Sequence, residues 1–180
     1  ARAIGTAPAV VDVGARRGWN ERGVDGPGAS VGVLGTGVDG AHAALSSNWR
    51  GNYAPASECW IDAAGLGDAT PVDQHYHGTH VMGTISGLAA GDTIGVAPGA
   101  HWIASNVINM GAGAAFDNAV IASLEFMTDP DGDPLTTADV PDVVQNSWGV
   151  NENFTGYFDC DSRWWTAIDA CEAAGVVLTW

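Results

Sequence analysis

The sequence predicts an α/β fold of three layers, a mostly parallel sheet with helices on both faces, truncated after about its fifth strand. Three observations predict it. Short apolar runs alternate with segments of helical periodicity, glycine-rich turns close those runs, and no linker or internal repeat divides the 180 residues. Alternation of this kind buries each strand on both faces and places ligand chemistry at the carboxyl ends of the strands.

The elements follow in order. After a polar, glycine-rich opening, residues 31–34 are apolar and stop at Gly35, the pattern of a buried strand that ends in a tight turn. A helix is expected over residues 77–90, ahead of a second apolar strand at 102–107. A further helix from about Ala114 repeats Phe116, Val120, Leu124 and Met127 at helical spacing until the Asp-Pro-Gly-rich stretch 129–134 breaks it. Residues 143–146 read as another strand. Ser162 is placed to cap a helix that turns Trp164, Ile168 and Cys171 inward, and Gly175 suits the position just past its end. Residues 176–180 then enter a further buried strand. The strands near Val31, Trp102, Val143 and Val176 are expected to lie parallel in one sheet.

Composition narrows the function classes. With 46% apolar and 15% charged residues, the chain suits one globular domain with a sizeable core. Its net charge of −15 comes from 21 acidic residues against six basic ones, all arginine. No cationic surface is left to hold a phosphate backbone, so nucleic acid is excluded as a partner and the charge reads as a solvated acidic surface. No apolar run nears the roughly 20 residues that cross a bilayer, so no membrane association is expected. The Ala-rich start lacks the basic region and apolar core of a signal peptide. Of the three cysteines Cys59, Cys160 and Cys171, the last two flank a predicted helix at a spacing that permits a bridge.

Three motifs carry chemistry, each with a competing reading. GTGVDG at residues 35–40 matches the glycine pattern that cradles a dinucleotide pyrophosphate, and Glu58 stands at about the distance of a ribose ligand. The loop-forming stretch 49–55 between them breaks the compact βαβ unit such a site needs. His75, His77 and His80 lie within six residues, with Asp73 upstream, which raises a metal-binding reading. His77 and His80 open a helix while His75 lies on the preceding loop, and no distant fourth ligand is apparent, so convergence on zinc is disfavoured. The alternating carboxylates at 129–133 resemble a calcium loop. An EF-hand loop needs glycine at position six and glutamate at twelve, whereas counting from Asp129 puts Gly132 at four and Val140 at twelve. A surface turn is the better reading, no cofactor is expected, and structural calcium stays unassigned.

Taken in order, VGVLGTGVDGAHAAL at 31–45, HGTHVMGTISG at 77–87, IGVAPGAHWIA at 94–104, GAG at 111–113 and PDVVQNSWGV at 141–150 resemble the successive signature blocks of the subtilisin-like serine proteases. NSWG at 146–149 is most similar to the secreted bacillopeptidase F type. The resemblance implies that residues 1–180 are the N-terminal part of one peptidase domain, secreted and acting on polypeptide substrates. His77 matches the general base, and His80 matches a packing histidine. Gly111, Ala112, Gly113, Ser147, Trp148 and Gly149 match the segments that line the peptide cleft. Trp148 also suits a place in the core.

Two departures stand against full activity. The family places its catalytic aspartate directly before Thr-Gly at the end of the first strand, where this sequence has Gly35. Asp39 lies past the turn and is a poor substitute. The family's oxyanion-hole asparagine and its nucleophile serine have no counterpart within residues 1–180, and Ser147 aligns with a substrate-binding strand instead. The chain is therefore expected to be inactive by itself, as a part of a longer protease or, alternatively, as a peptide-binding pseudoprotease; a histidine-cluster metal protein is the remote alternative. A chain that stops inside an apolar strand favours the first expectation.

Overall fold

A computed structural model describes residues 5–6, 8–90 and 92–180. Its elements are β1 (Gly5–Thr6), α1 (Pro8–Asp12), α2 (Ala15–Arg22), β2 (Ser30–Leu34), β3 (Trp60–Ile61), α3 (His77–Ser86), β4 (Leu88–Ala89), β5 (Asp92–Thr93), β6 (His101–Ser105), α4 (Ala114–Thr128), β7 (Val143–Asn146), α5 (Trp165–Ala173) and β8 (Val177–Thr179). Five strands form one sheet in the order β3-β6-β2-β7-β8, parallel at every pairing. The expected parallel arrangement of the strands near Val31, Trp102, Val143 and Val176 is thus present. β3 was not foreseen, since two residues carry no readable period.

Pleating divides the core in two. Leu34, Ile103 and Val144 face α4 and α5, which contribute Phe116, Val120, Leu124, Met127, Ala167 and Cys171. Val33, Trp102 and Ala104 face the opposite way, onto Val38, Leu45, Trp60 and Met82 of α3. Gly32 lets α4 approach: a Cβ there would stand 2.6 Å from the Met127 sulfur and 2.9 Å from Val144 Cγ2. Each large apolar side chain buried along α4 contributes about 1.5–3 kcal/mol.

Several boundaries differ from expectation, each because a distant partner captures the backbone. α3 stops at Ser86, not near 90, where Gly87 accepts the N–H groups of Ile94 and Gly95 and turns the chain into the β4–β5 hairpin. β6 ends at Ser105 and not at 107. Asn106 there donates to Asp62 and accepts from the Ala64 N–H, and Ile108 then donates to the Gly35 carbonyl. Ser162 does not cap α5 with its side chain; its carbonyl accepts the Trp165 N–H, and Trp164 occupies the cap without a side-chain bond. Arg163 anchors that end to α4 through Asp117, at 2.6 Å. Gly175 (φ 94°) closes α5 as expected, donating to the Glu172 carbonyl while Val176 donates to that of Cys171.

The bridge permitted by the cysteine spacing is absent, and all three thiols are free. Cys171 is buried against Thr128 and the Leu124 carbonyl, whereas Cys160 is exposed. Among the described residues, no helix is long and apolar enough to cross a membrane.

Candidate active site

The site forms where β2 meets the start of α3. Glycines permit the contact. Gly37 (φ 95°) lies so close to Val72 that an added Cβ would overlap the Val72 carbonyl oxygen, and a Cβ on Gly78 would overlap the carbonyl oxygen of Gly37. Helix and turn are therefore locked backbone to backbone. The Thr36 hydroxyl donates to Asp73 Oδ1 (2.9 Å) and accepts the Gly78 N–H (2.8 Å). Asp73 Oδ2 accepts the Thr79 N–H (2.8 Å) and hydroxyl (2.7 Å), and Oδ1 accepts the N–H groups of His75 and Tyr76. Thr79 in turn accepts the N–H of Asp39. Two of the free N–H groups of the first turn of α3 are satisfied in this way.

The carboxylate at Asp73 is the electrostatic anchor. Burial by itself would raise its pKa, but hydrogen bonds from Thr79, His75 and Thr36 outweigh burial and hold it below the ordinary aspartate value. Tyr76, just ahead of the helix, takes a left-handed conformation (φ 67°), a strained state for a non-glycine residue.

His77 is the first residue of α3, exposed at the carboxyl end of the sheet. Gly35 is buried beside it, donating to the Ser105 carbonyl and accepting from Ile108. A Cβ on Gly35 would meet Val33 Cγ1 at 3.5 Å and Gly78 Cα at 3.9 Å, ordinary contacts, and its backbone lies outside the left-handed region. A side chain therefore fits at residue 35, directly against the helix start that carries His77. Asp39 is turned to other work: its Oδ1 accepts the Ala41 N–H, and it lines a hollow of about 430 Å³ with His42, Tyr76 and His80.

The two segments expected to line a peptide cleft lie at the same end of the sheet. Residues 111–113 lead into α4 and residues 147–149 leave β7, so both stand at carboxyl ends of strands that flank β2. Gly113 donates to the Tyr157 hydroxyl (2.8 Å), which donates to Asp117 (2.9 Å). Trp148 packs edge-on to Phe116, Trp164 and Trp180, at ring-centre distances of 5.6, 5.5 and 5.1 Å. Gly111, Ala112 and Gly149 are exposed, while Ser147 accepts from Gln145 and lines a second hollow, of about 310 Å³, with His80. His80 is thus exposed and not packed into the core.

The competing motif readings fare differently. The turn at 35–40 leads into further turns and not into a helix, so the N-terminal dipole that receives a pyrophosphate is missing. Among the described residues, the histidines form no cluster able to hold a metal; the group that does is Asp129, Asp131 and Asp139.

Comparison with known proteins identifies the family and the fold. A sequence model of the subtilase family (peptidase S8) matches residues 26–180. The chain belongs to the subtilase family. It is 36% identical to bacillopeptidase F of Bacillus subtilis (strain 168) over 171 residues, which cover 89% of this chain and 12% of that protein. It is 32% identical to fervidolysin of Fervidobacterium pennivorans over 140 residues, 73% of this chain and 18% of that one. The subtilase chain therefore spans under a fifth of either relative's length. Its fold is shared with a cold-adapted subtilisin-like serine proteinase (TM-score 0.61, 23% identity, 86% of this chain and 46% of that one). The prenylagaramide maturation protease PagA is a second fold neighbour (TM-score 0.60, 19% identity, 92% and 49%).

Sequence reading pointed to His77 and Gly35 but gave Thr36, Thr79 and Tyr157 no role, and named Asp73 only as a neighbour of the histidines. An Asp six residues before a Thr in a helix's first turn was the available signal for the Asp73 anchor. Nothing local marked Tyr157.

Proposed function

We propose that residues 1–180 form the N-terminal part of one subtilase peptidase domain, from a secreted serine endopeptidase that acts on polypeptides. His77 is its general base. The base takes the proton of a serine hydroxyl and passes it to the leaving amine, which requires an imidazole held in one orientation. Residues 111–113 and 147–149 flank the substrate backbone. The observation that carries this reading is the packing of the start of α3, which opens at His77, against the turn at Gly35 and Gly37 through Gly78, with space for a side chain at residue 35.

With glycine there, no carboxylate orients the imidazole or stabilises the imidazolium, and the chain does not cleave peptide bonds by itself. The same glycine favours a second reading, a pseudoprotease that binds peptides without cutting them.

The test joins this chain to the nucleophile-bearing segment of its parent gene or of a close relative. The Gly35 form should show feeble peptidase activity, and Gly35→Asp should raise it by about 10⁴, the approximate reverse of the loss known for an orienting aspartate. His77→Ala should abolish that gain, while His75→Ala largely spares it. An Asp-bearing enzyme inert toward unfolded protein and toward serine-directed inhibitors would overturn the protease reading. Retained peptide binding in that inert form would support the second one.

A further inference from the structure

We propose that the loop between α4 and β7 holds one calcium ion on the carboxylates of Asp129, Asp131 and Asp139. One ligand oxygen from each lies within 4.8 Å of the others. Twice a calcium–oxygen distance, about 4.6–5.2 Å, spans such a group. The decisive observation is Asp139, which is 2% exposed yet has one carboxylate oxygen, Oδ1, buried without any hydrogen-bond partner. Its other oxygen accepts the Asp131 N–H at 3.0 Å. Asp129 Oδ1 is buried and unpartnered in the same way. A buried anionic oxygen without a donor is costly, and two carboxylates of one cluster that each carry such an oxygen ask for a cation.

Among the described residues, no ion pair brings an arginine to these carboxylates. Asp129 caps the carboxyl end of α4, where the helix dipole is already negative, and the last turn of α4 carries no basic residue. The ion pairs of Arg17, Arg50 and Arg163 all lie elsewhere.

Hard carboxylate oxygens select calcium or magnesium over zinc. The irregular loop, with Pro130, Gly132 (φ 75°) and Pro134, suits the flexible shell of calcium better than the strict octahedron of magnesium. Water completes the shell. The third ligand comes from Asp139, beyond the residue 129–133 block whose alternating carboxylates resemble a calcium loop, so the set departs from the EF-hand spacing. An ion here would fasten the connection into β7 and so steady the strand from which residues 147–149 depart.

Calorimetric titration of CaCl2 into the chelator-stripped full-length protein tests the proposal. Wild type should bind calcium, and Asp139→Asn and Asp131→Asn should each lose one equivalent or weaken it at least tenfold, with folding checked by circular dichroism. Should Asp139→Asn fail to fold, Asp131→Asn, at an exposed residue, decides. Absence of calcium binding at millimolar concentration, full retention of every equivalent in the folded variants, or a preference for magnesium at the affected equivalent would overturn it.

Discussion

Gly35, Gly37 and Gly78 sit within one small volume, and each is glycine under a different constraint. At Gly37 and Gly78 a methyl group would collide with backbone oxygen, which cannot swing aside as a side chain can. Gly37→Ala and Gly78→Ala should each destabilise the fold by about 1–3 kcal/mol or more, read as a lower urea midpoint. Gly35 meets no such wall. Gly35→Ala should be neutral or stabilising by up to about 1 kcal/mol, because alanine narrows the unfolded ensemble where the native backbone accepts it. A large loss for Gly35→Ala would contradict the space described beside His77, and with it the proposed effect of Gly35→Asp.

The α3 start is the element on which the candidate site depends, and its stability should depend on pH through Asp73. The folded-state pKa of Asp73 is held below its unfolded value, with burial opposing and the Thr79, His75 and Thr36 hydrogen bonds prevailing. A depressed carboxylate contributes stability that is fully present above the unfolded pKa, about 3.9, and is lost as pH falls through the folded pKa. Asp73→Asn should therefore be less stable than wild type near neutrality, and the gap should narrow as the pH is lowered past about 4. Urea unfolding of both proteins across that range checks it; a gap that stays constant in acid would show that Asp73 acts by shape alone. The same element shows why its far end was misjudged. Residues 87–90 continue an apolar, helix-compatible pattern, but Gly87 and the β5 partner divert them into a hairpin.

At the scale of the 180 residues together, β8 is an edge strand of the sheet among the described residues, with Val177 57% and Trp180 58% exposed. An exposed apolar edge strand is a template for pairing with another chain, while a net charge of −15 opposes association through long-range repulsion. Salt removes the repulsion and leaves the edge. Residues 1–180 expressed alone should self-associate, more so as ionic strength rises, and Val177→Lys should reduce it. Size-exclusion chromatography at low and high salt reads this directly; a monomer under both conditions would refute it.

The sequence by itself determined the strand–helix order, the strands at 31–34 and 143–146, the helix opening at His77 and the break after α4, because each is written in neighbouring residues as a periodicity or a turn signal. The places of His77 at a helix start and of Gly35 after a strand were legible for the same reason, since their motif blocks are contiguous. Tertiary structure decided the rest. The end of α3, the two-residue β3, the Asp73 anchor, the Tyr157 link to Gly113 and the joining of Asp139 to Asp129 and Asp131 all depend on partners brought close by the sheet order. Such partners leave no periodic trace, because the free energy that selects them comes from backbone groups and carboxylates that must be satisfied once buried, wherever in the chain the partner lies.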